Sequence, residues 1–125
     1  MKALIFDSGP IITLALNRLL WLLPILHKRY DGTFYIPAAV REELIDKPLR
    51  TKKYKLEALQ LLPLLHDGTF KVIEEQATRP KALELLRDIN TVYWAKGQPI
   101  KIVHEGEIDA IAAYVLLDAE GFVVD

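Results

Sequence analysis

Four acidic residues lie far apart along this 125-residue chain but occupy similar places relative to its apolar segments. Asp7 and Asp125 each end a short apolar run, "LIFD" and "FVVD", of the kind that forms a buried strand. Glu43 lies on the helix predicted after the second strand, and Asp109 lies on the helix predicted just before the last strand. Since ligands of open parallel sheets bind beyond the carboxyl ends of the strands, we expect Asp7 and Asp125 to face one crevice.

A cluster of carboxylates is unfavourable unless a cation neutralises it. Two carboxylates about 5 Å apart repel by about 3 kcal/mol at an effective dielectric constant of about 20. The chain has no cysteine and its histidines share no metal-ligand spacing, so the donors are oxygens, which favour Mg²⁺ or Mn²⁺. Such ions catalyse phosphoryl chemistry, because they stabilise developing charge and lower the pKa of bound water. The sequence therefore predicts a metal centre with Asp7, Glu43, Asp109 and Asp125 as ligands and catalytic residues.

A basic segment, "KPLRTKKYK" at positions 47–55, contains five Lys or Arg residues and one tyrosine. It follows the helix of Glu43, so we expect it near the mouth of the crevice. Its cations would contact the phosphates of a nucleic acid, and Tyr54 would stack on a base. The candidates for phosphate contacts are Arg50, Lys52, Lys53 and Lys55. The alternative interpretation is an ordinary solvated loop.

The elements that position these residues alternate between strands and helices. This alternation predicts an α/β domain with a mainly parallel central sheet of about four strands, flanked by helices. The predicted strands span residues 3–6, 33–36, 69–74 and 122–125. The predicted helices span residues 8–20, 24–30, 37–46, 54–66, 80–96 and 107–120. Ser8 is expected to cap the first helix, Lys47-Pro48 to end the third, Pro80 to begin the fifth after a loop at 75–80, and Gly121 to close the last.

The last helix has an apolar stripe that we expect to face the core; its residues are Ile108, Ile111, Ala112, Val115 and Leu116. Asp109 lies on one shoulder of the stripe, beside Ala112 and Ala113, whose small side chains leave room for a partly buried carboxylate. Glu107 lies on the opposite shoulder, in the first turn, where the positive end of the helix dipole favours an acid. Glu105, four residues before Asp109, is a lesser alternative ligand if the helix begins earlier.

Composition limits the class of protein. One domain is the simplest arrangement for 125 residues, of which 51% are apolar, and the net charge of −1 does not by itself indicate a nucleic acid or a membrane as partner. The absence of cysteine excludes a disulfide scaffold and fits a reducing cytoplasm. The apolar stretch 11–26 is too short and too interrupted for a membrane span. We expect it to form a buried helix whose surplus apolar surface packs on another helix or a second subunit.

Four segments together resemble the PIN-domain family, and within it the VapC-like metal-dependent ribonucleases, the toxins of many toxin–antitoxin pairs. "LIFDSGPII" resembles the opening strand–Asp–Ser motif, with Asp7 and Ser8. "IPAAVREEL" resembles the Pro-x-x-Val-x-x-Glu segment, with Glu43. "GEIDAIAA" is similar to the Gly-Glu-x-acid-Ala-Ile segment, with Asp109, and "FVVD" is similar to the strand that ends in the fourth acid, Asp125. The segments span the chain in the order of the family.

The resemblance implies a three-layer PIN-like fold and hydrolysis of RNA phosphodiester bonds to a 5′-phosphate and a 3′-hydroxyl. It implies one or two Mg²⁺ or Mn²⁺ ions held by the four acids, with Glu107 as a further ligand, and Ser8 orienting Asp7 or a water. It also implies an antitoxin partner and a homodimer. Similar chains usually continue past the fourth acid with a helix and a strand, so we expect a single PIN-like domain over 1–125 that lacks those two elements.

Other interpretations stay open at this point. Asp7 would serve equally well as a helix cap, and Glu43 as a surface acid. The chain would then be a catalytically inactive PIN-like module that binds RNA or a protein partner. "IFDSGP" also resembles the haloacid-dehalogenase phosphatases, whose first strand ends in a nucleophilic Asp, but Gly9 stands where those enzymes have a second Asp.

Overall fold

Strands and helices alternate along the chain. The computed structural model describes residues 2–51, 53–92, 94–95, 98–99 and 105–124, with the side chains in these ranges except those of residues 75 and 89–109. The strands are β1 (Ala3–Phe6), β2 (Thr33–Pro37), β3 (Phe70–Ile73), β4 (Trp94–Ala95), β5 (Gln98–Pro99) and β6 (Gly121–Val123). The helices are α1 (Ser8–Leu16), α2 (Leu22–Tyr30), α3 (Ala38–Arg41), α4 (Lys47–Arg50), α5 (Lys55–His66), α6 (Glu75–Val92) and α7 (Glu105–Leu117), and a π-helical turn (Glu42–Asp46) joins α3 to α4.

Four of the strands form one parallel sheet in the order β3-β2-β1-β6. β1 lies inside the sheet, with Leu4 opposite Phe34 of β2 and Gly121 of β6. β4 and β5 form a separate antiparallel pair. The predicted fold class, α/β with a parallel sheet of about four strands flanked by helices, is therefore confirmed. Because the four strands are parallel, their carboxyl ends lie at one edge of the sheet, which is where the predicted site must form.

The sheet is covered on both faces, which explains why β1 is apolar throughout. Alternate side chains of a strand point to opposite faces. Leu4 and Phe6 pack into a cluster with side chains from α1, α2 and α5, whereas Ala3 and Ile5 pack against α7 on the other face. The first cluster is rich in aromatic rings, and the Phe6 ring lies 4.8 Å from that of Phe34, centroid to centroid. The result is the three-layer arrangement that was expected.

The apolar stretch after β1 forms two helices, and the first ends earlier than predicted. α1 ends at Leu16, because the side-chain amide of Asn17 donates to the carbonyl four residues earlier (2.7 Å) and Arg18 has a left-handed backbone (φ 57°). The N-cap is Asp7 rather than Ser8, since the Asp7 carboxylate accepts the backbone amide of Ser8. Within the described ranges, no helix combines the length and the apolar character that crossing a membrane requires.

The helix after β2 does not end at Lys47-Pro48, as was predicted. It passes through the π-helical turn, where the amide of Lys47 donates to the carbonyl of Glu42, and then continues as α4 to Arg50. A wider turn of this kind accommodates the break that a proline makes in α-helical hydrogen bonding. Glu43 therefore lies in a π-helical turn and not on a regular α-helix.

A second proline also lies inside a helix. α6 begins at Glu75, so the predicted loop at 75–80 is helical and Pro80 does not start the helix. A proline at this place leaves the carbonyl of the residue four positions earlier without its helical donor. That residue, Gln76, is exposed, so water can satisfy its carbonyl.

The buried face of α7 agrees with the predicted stripe at Ala112 and differs from it at the large residues. Ala112 and Ala113 are fully buried, whereas Ile111, Val115 and Leu116 are between 37% and 52% exposed. Alanine side chains allow α7 to approach α6 and β1 closely, so the small residues rather than the large ones face the interior. The fifth residue of the predicted stripe, Ile108, lies outside the described side chains.

The end of α7 is made by an aspartate. Asp118 follows the helix with a left-handed backbone (φ 48°), while Gly121, which was predicted to take that conformation, begins β6. The short polar side chain of Asp tolerates the left-handed region better than most residues do. The predicted glycine cap is therefore wrong, although the helix ends close to the expected place.

Candidate metal and nucleic-acid site

Asp7 lies at the carboxyl end of β1, and its carboxylate is exposed. Besides β1, two elements fix its position. Its backbone amide donates to the carbonyl of Val123 at the end of β6 (3.0 Å), and its Oδ1 accepts the amide of Ser8 at the start of α1 (2.8 Å). The second oxygen, Oδ2, forms no hydrogen bond with the described residues. Asp7 thus caps a helix with one oxygen and offers the other to solvent or to a cation.

Glu43 is exposed in the π-helical turn that follows β2 and α3. β2 is the parallel neighbour of β1, so Glu43 and Asp7 both follow strand ends at the same edge of the sheet. π-helical turns are rare and are frequently found at functional sites, because they redirect side chains within a helix. Its place in this turn therefore favours a functional role for Glu43 over that of an exposed acid on a regular helix.

The family resemblance selects Glu43 over the adjacent Glu42, and the surroundings of the two acids also differ. The Glu42 carboxylate accepts a hydrogen bond from the guanidinium of Arg50, and this contact lowers the pKa of Glu42. Glu43 forms no ion pair with the described residues. Glu42 is therefore occupied by an internal cation, whereas Glu43 is available to one from outside.

A cavity of about 420 Å³ opens beside Glu43, between α1, the segment from the π-helical turn to α4, and α5. Half of the residues that line it are apolar: Ile12, Ala15, Leu16, Leu44, Pro48 and Leu61. The other half is polar, charged or aromatic: Glu43, Lys47, Thr51, Lys53, Tyr54 and Glu57. The sequence did not predict this cavity, since its walls come from three segments that are separate in the sequence.

The basic segment lies along this cavity. Lys47 and Lys53 line it, and Lys55 is exposed at the start of α5. Lys53 Nζ lies 5.1 Å from the centre of the Tyr54 ring, a cation–π contact. Arg50, the fourth cation of the segment among the described residues, is paired with Glu42. The remaining candidate, Lys52, lies outside the described residues.

The other predicted ligands fall outside what the structure describes. Asp125 is not described, and the backbone of α7 passes through Glu105, Glu107 and Asp109, whose side chains are not described. Within the described residues, no three His, Cys, Asp or Glu side chains form a group that could hold a metal ion. Of the predicted metal ligands, the described part of the chain contributes Asp7 and Glu43. Both are hard oxygen donors free of internal cations, as Mg²⁺ or Mn²⁺ requires.

No family model matches the chain, and no curated protein matches it significantly. The fold is similar to that of a chain in the crystal structure of VapBC2 from Rickettsia felis bound to a DNA fragment from their promoter. The TM-score is 0.65 at 18% sequence identity, and the match covers 98% of this chain and 88% of that chain. At this identity the likeness establishes a shared fold and no more, in agreement with the expected PIN-like fold.

Proposed function

We propose that this protein is a metal-dependent endoribonuclease and the toxin of a toxin–antitoxin pair. The observation that carries the proposal is the position of Asp7. It follows an internal strand of a PIN-like fold, it is fixed by β6 and α1, and it has a carboxylate oxygen without an internal partner. A carboxylate needed only as a helix cap would not explain the acids that follow the other strands.

Asp7, Glu43, Asp109 and Asp125 would hold Mg²⁺ or Mn²⁺, with Glu107 as a further ligand. When bound, such an ion neutralises the acids, stabilises charge on a phosphodiester and lowers the pKa of water. The chain itself orients the site: the Ser8 amide holds one oxygen of Asp7, and the backbone bond to Val123 holds the strand end beneath it. Lys47, Lys53 and Lys55 would contact RNA phosphates near the same edge, and Lys52 belongs to the same segment.

The test is cleavage of single-stranded RNA with Mn²⁺ by the wild type and by Asp7→Asn. Asp31→Asn is a matched control, because Asp31 is also exposed but precedes β2, at the opposite edge of the sheet. We expect Asp7→Asn to abolish cleavage and Asp31→Asn to retain it. Undiminished cleavage by Asp7→Asn would reject the assignment. RNA binding without cleavage, and without calorimetric binding of Mn²⁺, would indicate the inactive RNA-binding module instead.

The antitoxin partner is supported at the level of the fold, since the similar chain belongs to a VapBC2 structure. A small gene beside the one for this protein, encoding a DNA-binding protein, would supply the candidate. Its product should form a stoichiometric complex with this chain and suppress cleavage. Cleavage that is unaffected by an equimolar amount of that product would reject this part of the proposal.

The homodimer is supported by apolar surface on the α1–α2 side of the molecule. Trp21, Ile25 and Leu26 are between 46% and 60% exposed there. Burying such side chains would contribute about 25 cal/mol for each Å² of apolar area removed from water. Sedimentation velocity should give a dimer for the wild type and a monomer for Trp21→Arg. A wild type that is monomeric at micromolar concentration would reject the homodimer.

A further inference from the structure

The cavity between α1, the π-helical turn and α5 has two different kinds of wall. Its apolar wall is formed by side chains such as Ile12, Leu44 and Leu61. Its rim has Glu43 at one place and the residues of the basic segment, Lys53 and Tyr54, at another. The cavity thus adjoins both a candidate metal ligand and the cations expected to contact phosphates. A ligand that fits it must combine a flat or compact apolar body with a negatively charged part.

The size of the cavity suits a nucleoside. Its volume of about 420 Å³ lies within the range of about 300–1,000 Å³ that is typical of small-molecule sites. Nucleobases have apolar faces that pack on aliphatic and aromatic side chains whatever their sequence, and polar edges that select between bases. In single-stranded RNA the base lies one sugar away from its phosphate, so a phosphate near Glu43 would bring a neighbouring base to this cavity.

Tyr54 has the features of a stacking residue. It has a left-handed backbone (φ 62°), which is unusual for a bulky residue and tends to persist at ligand clamps and other functional sites. This conformation begins α5 and leaves the Tyr54 side chain 53% exposed at the cavity. Lys53 lies over the same ring and forms no ion pair with the described residues. An aromatic face and a free ammonium group therefore lie together at the rim.

A second carboxylate of the lining is that of Glu57, whose place near the start of α5 is also favoured by the helix dipole. Glu57, in the first turn of α5, borders the cavity and forms no ion pair with the described residues. An ionised carboxylate only accepts hydrogen bonds, so it would favour a base edge that carries an amino group, as those of cytosine, adenine and guanine do, over uracil.

We propose that this cavity binds one base of single-stranded RNA that carries an exocyclic amine (cytosine, adenine or guanine), next to the phosphate at Glu43. Tyr54 stacks on the base, Lys47 and Lys53 contact phosphates, and Glu57 accepts the exocyclic amine. The inference rests on the proposed ribonuclease function and names a base-selective subsite within it. The competing occupant is an apolar side chain of a partner protein, which the experiment below distinguishes.

The first experiment measures RNA affinity by fluorescence anisotropy in EDTA, where metal-dependent cleavage is prevented. A short single-stranded RNA is compared with a series of RNAs that each lack the base at one position. A second series carries uracil at each of those positions instead. We expect one position at which base removal weakens binding about tenfold, within the range measured for stacking on an aromatic residue. The same position should prefer cytosine, adenine or guanine to uracil, and Glu57→Gln should reduce this preference.

Two variants test whether the effect belongs to the cavity. Tyr54→Asn removes the ring but suits the left-handed backbone, since Asn tolerates that conformation, so folding is preserved. Leu16→Glu places a charge on the apolar wall, at a residue that is exposed. Leu59→Glu is its matched control, because Leu59 is also exposed but lies on α5 outside the cavity. Tyr54→Asn and Leu16→Glu should abolish the sensitivity to base removal, while Leu59→Glu should retain it.

The second experiment follows the methyl NMR signals of Ile12, Leu44 and Leu61 with two kinds of probe. We expect CMP, AMP and GMP to shift these signals more than UMP does, and N-acetyltryptophanamide to leave them in place. Shifts from N-acetyltryptophanamide alone would overturn the inference in favour of a peptide-docking site. Equal affinity for every base-deleted RNA, with Asp7-dependent cleavage intact, would overturn the subsite but not the ribonuclease. Absence of both cleavage and RNA binding would overturn both.

Discussion

The backbone amide of Asp7 donates a hydrogen bond of 3.0 Å to the carbonyl of Val123. This bond joins the residue after β1 to the end of β6, two residues before Asp125 in the sequence. β1 and β6, which are more than a hundred residues apart in the sequence, are therefore neighbouring strands. A metal ion bound by Asp7 would stabilise the folded chain. The effect of Mn²⁺ on the free energy of unfolding therefore tests the site directly.

Asp7→Asn should separate the charge of Asp7 from its capping role. Asn caps helices about as well as Asp, so without metal the variant should be at least as stable as the wild type. Mn²⁺ at about 100 times its dissociation constant should stabilise the wild type by about 2.7 kcal/mol and the variant much less. Urea unfolding with and without Mn²⁺ measures both. Equal stabilisation of the two chains would contradict a metal site that includes Asp7.

Asp7→Ala provides the control for the cap. It removes the acceptor for the Ser8 amide, and loss of an N-cap typically costs about 1 kcal/mol. The free energy of unfolding without metal should therefore fall for Asp7→Ala and not for Asp7→Asn. If both variants lose the same stability, the carboxylate charge itself stabilises the fold, and the idea of repelling acids is wrong.

Glu42→Gln and Glu43→Gln form a matched pair, since the residues are adjacent, exposed and chemically identical. Glu43→Gln should abolish RNA cleavage and leave stability nearly unchanged, whereas Glu42→Gln should retain cleavage. Arg50 lowers the pKa of Glu42 below its ordinary value of 4.5. The contribution of this ion pair to stability is therefore present above that value and is lost as the pH falls through the lowered pKa.

The pH dependence of this pair is measured by the melting temperature between neutral pH and pH 3. The wild type should lose more stability on acidification than Glu42→Gln, and the difference should vanish at the acidic end. A Glu42→Gln variant that loses cleavage while Glu43→Gln retains it would exchange the two assignments. The catalytic acid of this turn would then be the one that Arg50 contacts.

The sequence identified the layers of the fold because they depend on local patterns. Apolar runs ending in acids mark β1 and β6, and their parallel pairing follows from the intervening helices. The boundaries that were wrong depend on tertiary packing. Pro48 ends a regular helix by local rules, but it is buried here and the π-helical turn accommodates it. The small face of α7 is buried because α6 approaches it closely, which no pattern within α7 reveals.

The candidate site was predictable only where a single segment determines it. Asp7 follows β1 directly and Glu43 lies one short helix after β2, so their positions at the sheet edge could be inferred. The pairing of Arg50 with Glu42 joins residues eight positions apart across the π-helical turn, so helical spacing rules did not indicate it. The cavity beside Glu43 required knowing how α1 and α5 pack, because its walls come from segments that are remote in sequence.

Phe34 should be a critical residue of the core. It is 3% exposed, and its ring lies within 6.0 Å, centroid to centroid, of the rings of Phe6, His27, Tyr30 and Phe70. Phe34→Ala should lower the free energy of unfolding by about 3–5 kcal/mol, the usual cost of deleting a buried phenyl ring. Phe122→Ala is the control: Phe122 is 37% exposed, so its truncation should lower the free energy of unfolding much less. Similar losses from both would contradict this account of the core.

Tyr30 should titrate at unusually alkaline pH. Burial, together with a hydrogen bond of 2.8 Å from the Tyr30 hydroxyl to Glu120 and the charge of that carboxylate, raises its pKa from 10.0 to about 12. Because the folded pKa is raised, its contribution to stability is complete below pH 10 and is lost as the pH rises from 10 to about 12. Ultraviolet titration of the phenolate, with Tyr30→Phe subtracted, isolates this residue.

Glu120→Gln tests the causes of that shift. The variant removes the charge and weakens the hydrogen bond but leaves the burial, which is the largest cause. The pKa of Tyr30 should therefore fall only part of the way towards 10, so the loss of stability should still begin near pH 10 but should end at a lower pH and be smaller. A Tyr30 that titrates with the other tyrosines in the wild type would contradict the contact between α2 and the residue before β6.

The basic segment should contribute to RNA binding through Lys52, Lys53 and Lys55 more than through Arg50. Each phosphate contact that is lost should reduce the slope of log affinity against log salt by about 0.7 for a single strand. Arg50→Gln should change the slope less than Lys53→Gln does, because the guanidinium of Arg50 is held by Glu42. Lys28→Gln, exposed on α2 ahead of β2, is the control and should leave the slope unchanged. If the lysine variants also leave it unchanged, the segment is an ordinary solvated loop.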